Sequence, residues 1–130
     1  MAAITGLAAL AASTGVVLGA GPALAGPSCS SGYHCVFKYQ VGSTKHSYFD
    51  SDANFTNDYF GDGSVVNDNV WGASNSSTGG YESHYYRDIN YAGGLVFCVN
   101  PGSSVYELPA GKKDAASSLK LRGTTSISCY

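Results

Sequence analysis

Charge is scarce in this chain. Of its 130 residues, seven are Lys or Arg and nine are Asp or Glu, for a formal net charge of −2. With no basic run, neither a nucleic-acid surface nor a polybasic membrane contact is expected. Helix signals are nearly missing as well. Outside "GKKDAASSLKLRG" (111–123), where a short helical turn fits, nothing shows helical periodicity. A catalytic order is also absent. His34, His46 and His84 are scattered, and no Ser-His-Asp or Cys-His arrangement stands out, so the chain is read as non-enzymatic. His34 is expected at the surface, and Glu82 and His84 on one face of a solvated strand. Finally, no apolar run is long and unbroken enough for a membrane span. Residues 2–25 carry no charge, are interrupted by glycines and a proline, and end in Ala23-Leu24-Ala25. They read as a secretory signal, 1–25, cleaved after Ala25, leaving 26–130 as a single exported domain.

What remains is rich in particular ways. It holds ten tyrosines, many of the 17 glycines, and all four cysteines: Cys29, Cys35, Cys98 and Cys129. An even count in a short exported chain points to disulfides, with three possible connectivities. The short gap between Cys29 and Cys35 suits a local loop, which leaves Cys98 to Cys129. Zinc would need closer Cys/His pairing. Each bridge is worth ~2–4 kcal/mol. Apolar and aromatic content is too high for disorder. An extracellular monomer, free of the membrane after signal cleavage, is expected.

Short strands broken by Gly, Asn, Asp and Ser are predicted at 33–39, 47–49, 70–73, 83–87, 94–99 and 117–121. "NPGSS" (100–104) reads as a turn. Asp50, Asp52, Asp58 and Asp62 fall in a turn-rich stretch, where Asx turns explain them better than a metal does. "NFT" and "NSS" match the glycosylation triplet, a pattern that often occurs by chance. The chain divides into two loosely similar halves. Each starts with an aromatic strand ("CVFKY", "HYYRD") and runs through a Gly-bearing turn to a second strand. Each then reaches an acidic or polar motif ("NDNVWG", "KDAASS"). Two four-strand Greek keys account for this period.

In "YYRDINYAGG", Tyr86, Tyr91 and Gly93 have aromatic-x4-aromatic-x-Gly spacing. This resembles the hairpin mark of the βγ-crystallin superfamily. Residues 29–128, with the opening "CSSGYHC", are similar more narrowly to the small bacterial peptidase inhibitors of βγ-crystallin type, the family of the Streptomyces metalloproteinase inhibitor. The resemblance implies an all-β fold, two Greek keys forming a βγ-crystallin-like sandwich. It also implies a serine, Ser117 or Ser118, packing on the folded hairpin. The family's calcium motif maps onto Asp68, Asp114 and Ser117. However, Trp71 and Gly72 stand where Ser/Thr and Ser belong, and Lys113 replaces the first acidic or amide residue. Calcium therefore has only weak support, and no cofactor is expected.

The resemblance implies inhibition of an extracellular peptidase, a metallopeptidase first. The loop "VNPGSSVYELPAGKK" (99–113) is a plausible bait, with Val105, Tyr106 and Leu108 as its apolar side chains. The plainer account of those three is that they fill the core of the second Greek key. The family's inhibitory loop has its own close cysteine pair, and this one does not. A different class of function is a secreted module that binds cell wall or glycan through stacked rings, and a toxin or stress protein is a third.

Overall fold

The computed structural model describes residues 25–130. The expected signal segment, apart from Ala25, lies outside the described residues. Seven strands follow in order: β1 (His34–Phe37), β2 (Lys45–Tyr48), β3 (Gly72–Asn75), β4 (Glu82–Tyr86), β5 (Leu95–Val99), β6 (Ser104–Val105) and β7 (Ser118–Arg122). They form two antiparallel sheets, ordered β2-β1-β3-β6 and β5-β4-β7.

The halves are interlocked. β1, β2 and β3 come from the first half, yet the strand completing their sheet, β6, comes from the second. In return, Asp52 of the first half bridges to Leu119 on β7. Each half thus lends its third strand to the other's sheet, as two Greek keys do when packed about a pseudo-twofold axis. At that axis His34 Nδ1 lies 2.5 Å from Ser83 Oγ, one sheet touching the other.

Between the sheets lies one apolar cluster that includes Val36, Phe55, Tyr85, Phe97 and Leu119. Tyr85 stacks on Phe97, with centroids 4.4 Å apart, and Tyr48 stacks on Phe55 at 5.0 Å. β1 is buried along its whole length because strands flank it, Val36 faces the cluster between the sheets, and Cys35 and Phe37 on the other face pack with Cys29 and Val41. Disulfides join Cys29 to Cys35 and Cys98 to Cys129.

Several local expectations shift. β3 begins at Gly72 rather than Val70, and β6 lies outside the strands that the sequence pattern predicts. The stretch 110–114 holds the single helical turn expected there, with the Lys112 and Lys113 N–H groups both donating to the Pro109 carbonyl, and then leads into β7. His34 is 1 % exposed rather than at the surface, because β1 starts inside the sandwich. Asn75, in the "NSS" triplet, is buried and donates to the carbonyls of Tyr81 and Val99.

Candidate functional site

The strand registers align the halves residue by residue. Phe37 faces Gly72 across β1 and β3, and Tyr86 faces Ser118 across β4 and β7. Gly72 and Ser118 are therefore equivalent. On the exchanged third strands, Val105 pairs with Ala73 and Asp52 with Leu119, so Tyr106 is the counterpart of Ala53.

In the second half the folded hairpin is held by side chains. Asn90 and Tyr91 have φ of 58° and 60°, a left-handed conformation that costs non-glycine residues energy. Gly93 has φ 76°, and a Cβ there would lie 2.3 Å from Asp88 Oδ2. The Tyr86 and Tyr91 rings meet edge to face with centroids 6.1 Å apart. Ser118 Oγ accepts from Tyr91 N–H at 3.1 Å and donates to the Asp88 carbonyl at 2.7 Å. Ser118 thus packs on the corner, while Ser117 Oγ lies 3.3 Å from Asp68 Oδ1.

In the first half a backbone takes the serine's place. A Cβ on Gly72 would lie 2.7 Å from the Tyr106 carbonyl oxygen. That carbonyl accepts from Val41 N–H at 3.1 Å, as Ala53's accepts from Asn90 at 2.8 Å. Val105 is 6 % exposed and Leu108 1 %, both in the core, whereas Tyr106 is 66 % exposed. Leu108 N–H donates to the Trp71 carbonyl at 2.7 Å. The result is a two-residue ledge, Tyr106–Glu107, pinned on both sides. Lys113 binds Glu107 at 2.5 Å, holding its carboxyl below the usual range, and lies 4.2 Å over the Trp71 ring. Exposed Tyr39 meets Trp71 edge to face at 5.6 Å. Of this face, the sequence marks Trp71 only as a departure from the calcium motif, and marks Tyr39 and Glu107 only as parts of longer segments. Their signal was weak: a lone Trp where a motif expects Ser or Thr.

The acidic motifs lock into each other. Asp68 and Asp114 both have φ 55°. Asp68 N–H donates to the Ala116 carbonyl, and Asp114 N–H to that of Val70, at 3.0 and 3.1 Å. The environments of their side chains differ. Asp68 Oδ1 accepts from Ser117 O–H at 3.3 Å, and Asp68 Oδ2 accepts from the Asn67 Nδ2–H at 3.0 Å. Asp114 Oδ1 instead accepts from Trp71 Nε1–H at 2.8 Å. Calcium takes about six to eight oxygens. An indole N–H with an ammonium over its ring offers the opposite, so the Asp114 half does not fit the ion. The Asp68 half offers its own carboxylate and the Ser117 hydroxyl, with an amide N–H already on the carboxylate, and falls short of a full shell.

Glu82 and His84 do share a face, but it is buried, not solvated. Glu82 Oε2 lies 2.6 Å from His84 Nε2, and Glu82 also accepts from Thr125 N–H and O–H. Burial disfavours its charge, yet the bonds from Thr125 and His84 outweigh that and hold its pKa down to about 2. With the Cys98–Cys129 bridge, the pair fastens the last residues to the sheet. Asp52 and Asp62 cap backbone N–H groups two residues on, the Asx geometry expected of that stretch.

No family model and no curated protein matches this sequence. One solved structure does match, from work on the evolution of the eye lens βγ-crystallin domain fold. It is 17 % identical, with a TM-score of 0.58, over 74 % of this chain and 90 % of that one. The chain has the βγ-crystallin domain fold, all-β with two Greek keys. Two disulfides in a small domain are compatible with an extracellular location. No helix among the described residues is long and apolar enough to cross a membrane.

Proposed function

We propose that this protein is a secreted inhibitor of an extracellular peptidase, a metallopeptidase first, acting as a monomer without a cofactor. One observation carries the reading. Among the described residues Tyr106 is the most exposed of the large apolar side chains, yet it sits on backbone held by β6, Leu108 and the Val41 bond. A preformed segment loses little freedom on binding, which is the main advantage of a rigid inhibitor. Tyr39 and Trp71 beside it are the residue types that anchor protein interfaces. Val105 and Leu108 serve as the buried feet of the segment, so Tyr106 carries the contact.

The test is a titration of the full chain against thermolysin-like and subtilisin-like peptidases. Inhibition of the former and a tenfold or greater loss in Tyr106→Ala, about 1.4 kcal/mol, are expected. The reading is overturned if neither peptidase slows at about 10 μM inhibitor, a concentration that would saturate a micromolar complex.

A further inference from the structure

A cleft of about 390 Å³ opens at the end of β1 remote from the Tyr106 face. His34, which starts β1, lines it, whereas Phe37, which ends β1, pairs with the Gly72 that Tyr106 packs against. Its size falls within the ~300–1,000 Å³ of small-molecule sites.

Two exposed rings flank it, and glycines set both. A Cβ on Gly79 would lie 2.7 Å from Tyr81 Cε2, so the ring rests on bare backbone. Phe49 lies against Gly32, and Tyr33 braces it edge to face with centroids 5.5 Å apart. Phe49 is 62 % and Tyr81 48 % exposed, so both rings are open to solvent. The lining between them is polar. Ser51 Oγ accepts from Leu121 N–H at 2.9 Å. Ser77 Oγ accepts from the N–H groups of Gly79 and Tyr81 at 3.3 and 3.1 Å. Each hydroxyl thus keeps its own O–H to donate, and Asp50 adds an exposed carboxylate to accept. No Lys or Arg lines the cleft, which disfavours anions.

Flat apolar walls with separate donors and acceptors between them suit a ligand that has apolar faces and hydroxyl edges. We propose that this cleft binds a saccharide, one or two pyranose rings between Phe49 and Tyr81, with Asp50, Ser51 and Ser77 on its hydroxyls. The site is independent of the peptidase-binding face.

The test titrates the full chain by calorimetry with N-acetylchitotriose, cellotriose and maltotriose. Co-sedimentation with insoluble chitin, cellulose and starch shows which polymer supplies the sugar. At least one trisaccharide is expected to bind with a Kd of about 1 mM or tighter. Phe49→Ala and Tyr81→Ala, both at exposed positions, should each weaken it tenfold or more with an unchanged melting temperature. Tyr106→Ala should leave sugar binding intact while reducing peptidase inhibition, so the two readings fail separately. Absence of heat with all three sugars at about 10 mM overturns the proposal. So does binding that survives both ring substitutions.

Discussion

The two halves share one backbone plan and differ in what closes it. In the second half, Ser118 reaches the folded hairpin with its own hydroxyl, and Ala53 of the exchanged strand stays small beneath it. In the first half, Gly72 has no side chain, the Tyr106 carbonyl moves in, and a tyrosine projects where the other half has alanine. The same contrast runs through the acidic motifs. Asp68 is met by the Ser117 hydroxyl and the Asn67 amide, while Asp114 is satisfied by the Trp71 indole. One half thus retains the side-chain bonds that hold the fold, and the other has exchanged them for an exposed aromatic face. A duplicated fold can place function on one copy because the second copy still carries the architecture.

The largest expected break in this comparison is covalent. The second half's bridge spans 31 residues of sequence and the first half's six. Loop-closure entropy then assigns about 4 kcal/mol to Cys98–Cys129 and about 2 kcal/mol to Cys29–Cys35. Paired Cys→Ser variants compared by urea unfolding should lose stability in that order, and equal losses would contradict it.

Next comes protonation at the pseudo-twofold axis. Burial lowers the His34 pKa from 6.5 to about 4, so the fold excludes the imidazolium that the unfolded chain accepts. Stability from this group is complete above pH 6.5 and is lost as pH falls from there through 4. The full loss is about 3 kcal/mol. Urea midpoints across that window should show the slope in the native chain and a flattened one in His34→Gln.

Exchanging the equivalent residues is a finer test. Ser118→Gly removes two bonds and should cost about 1–2 kcal/mol without touching peptidase inhibition. Gly72→Ser forces a Cβ toward the Tyr106 carbonyl, which should cost about 1–3 kcal/mol and also weaken inhibition. If both variants inhibit equally, the ledge is not the contact.

The smallest effect concerns calcium. With the Asp114 half filled by Trp71, millimolar calcium should add about 0.1 kcal/mol or less, leaving the melting temperature unchanged.

The sequence by itself determined the fold, through short-range features. Tyr86, Tyr91 and Gly93 mark the hairpin because a left-handed turn with rings on its corner needs those types at that spacing. The short interval from Cys29 to Cys35 marks a local loop in the same way, since both depend only on nearby backbone. Tertiary structure decided which residues face solvent. Val105, Tyr106 and Leu108 look alike in the chain, but strand exchange buries two and exposes one. His34 looked like a surface residue until the other half supplied Ser83 across the axis. The cleft walls, Phe49 and Tyr81, lie 32 residues apart in the numbering and line one cleft only once both sheets are assembled. Local geometry is written in local spacing, whereas a surface is made by packing between distant segments, which no short motif encodes.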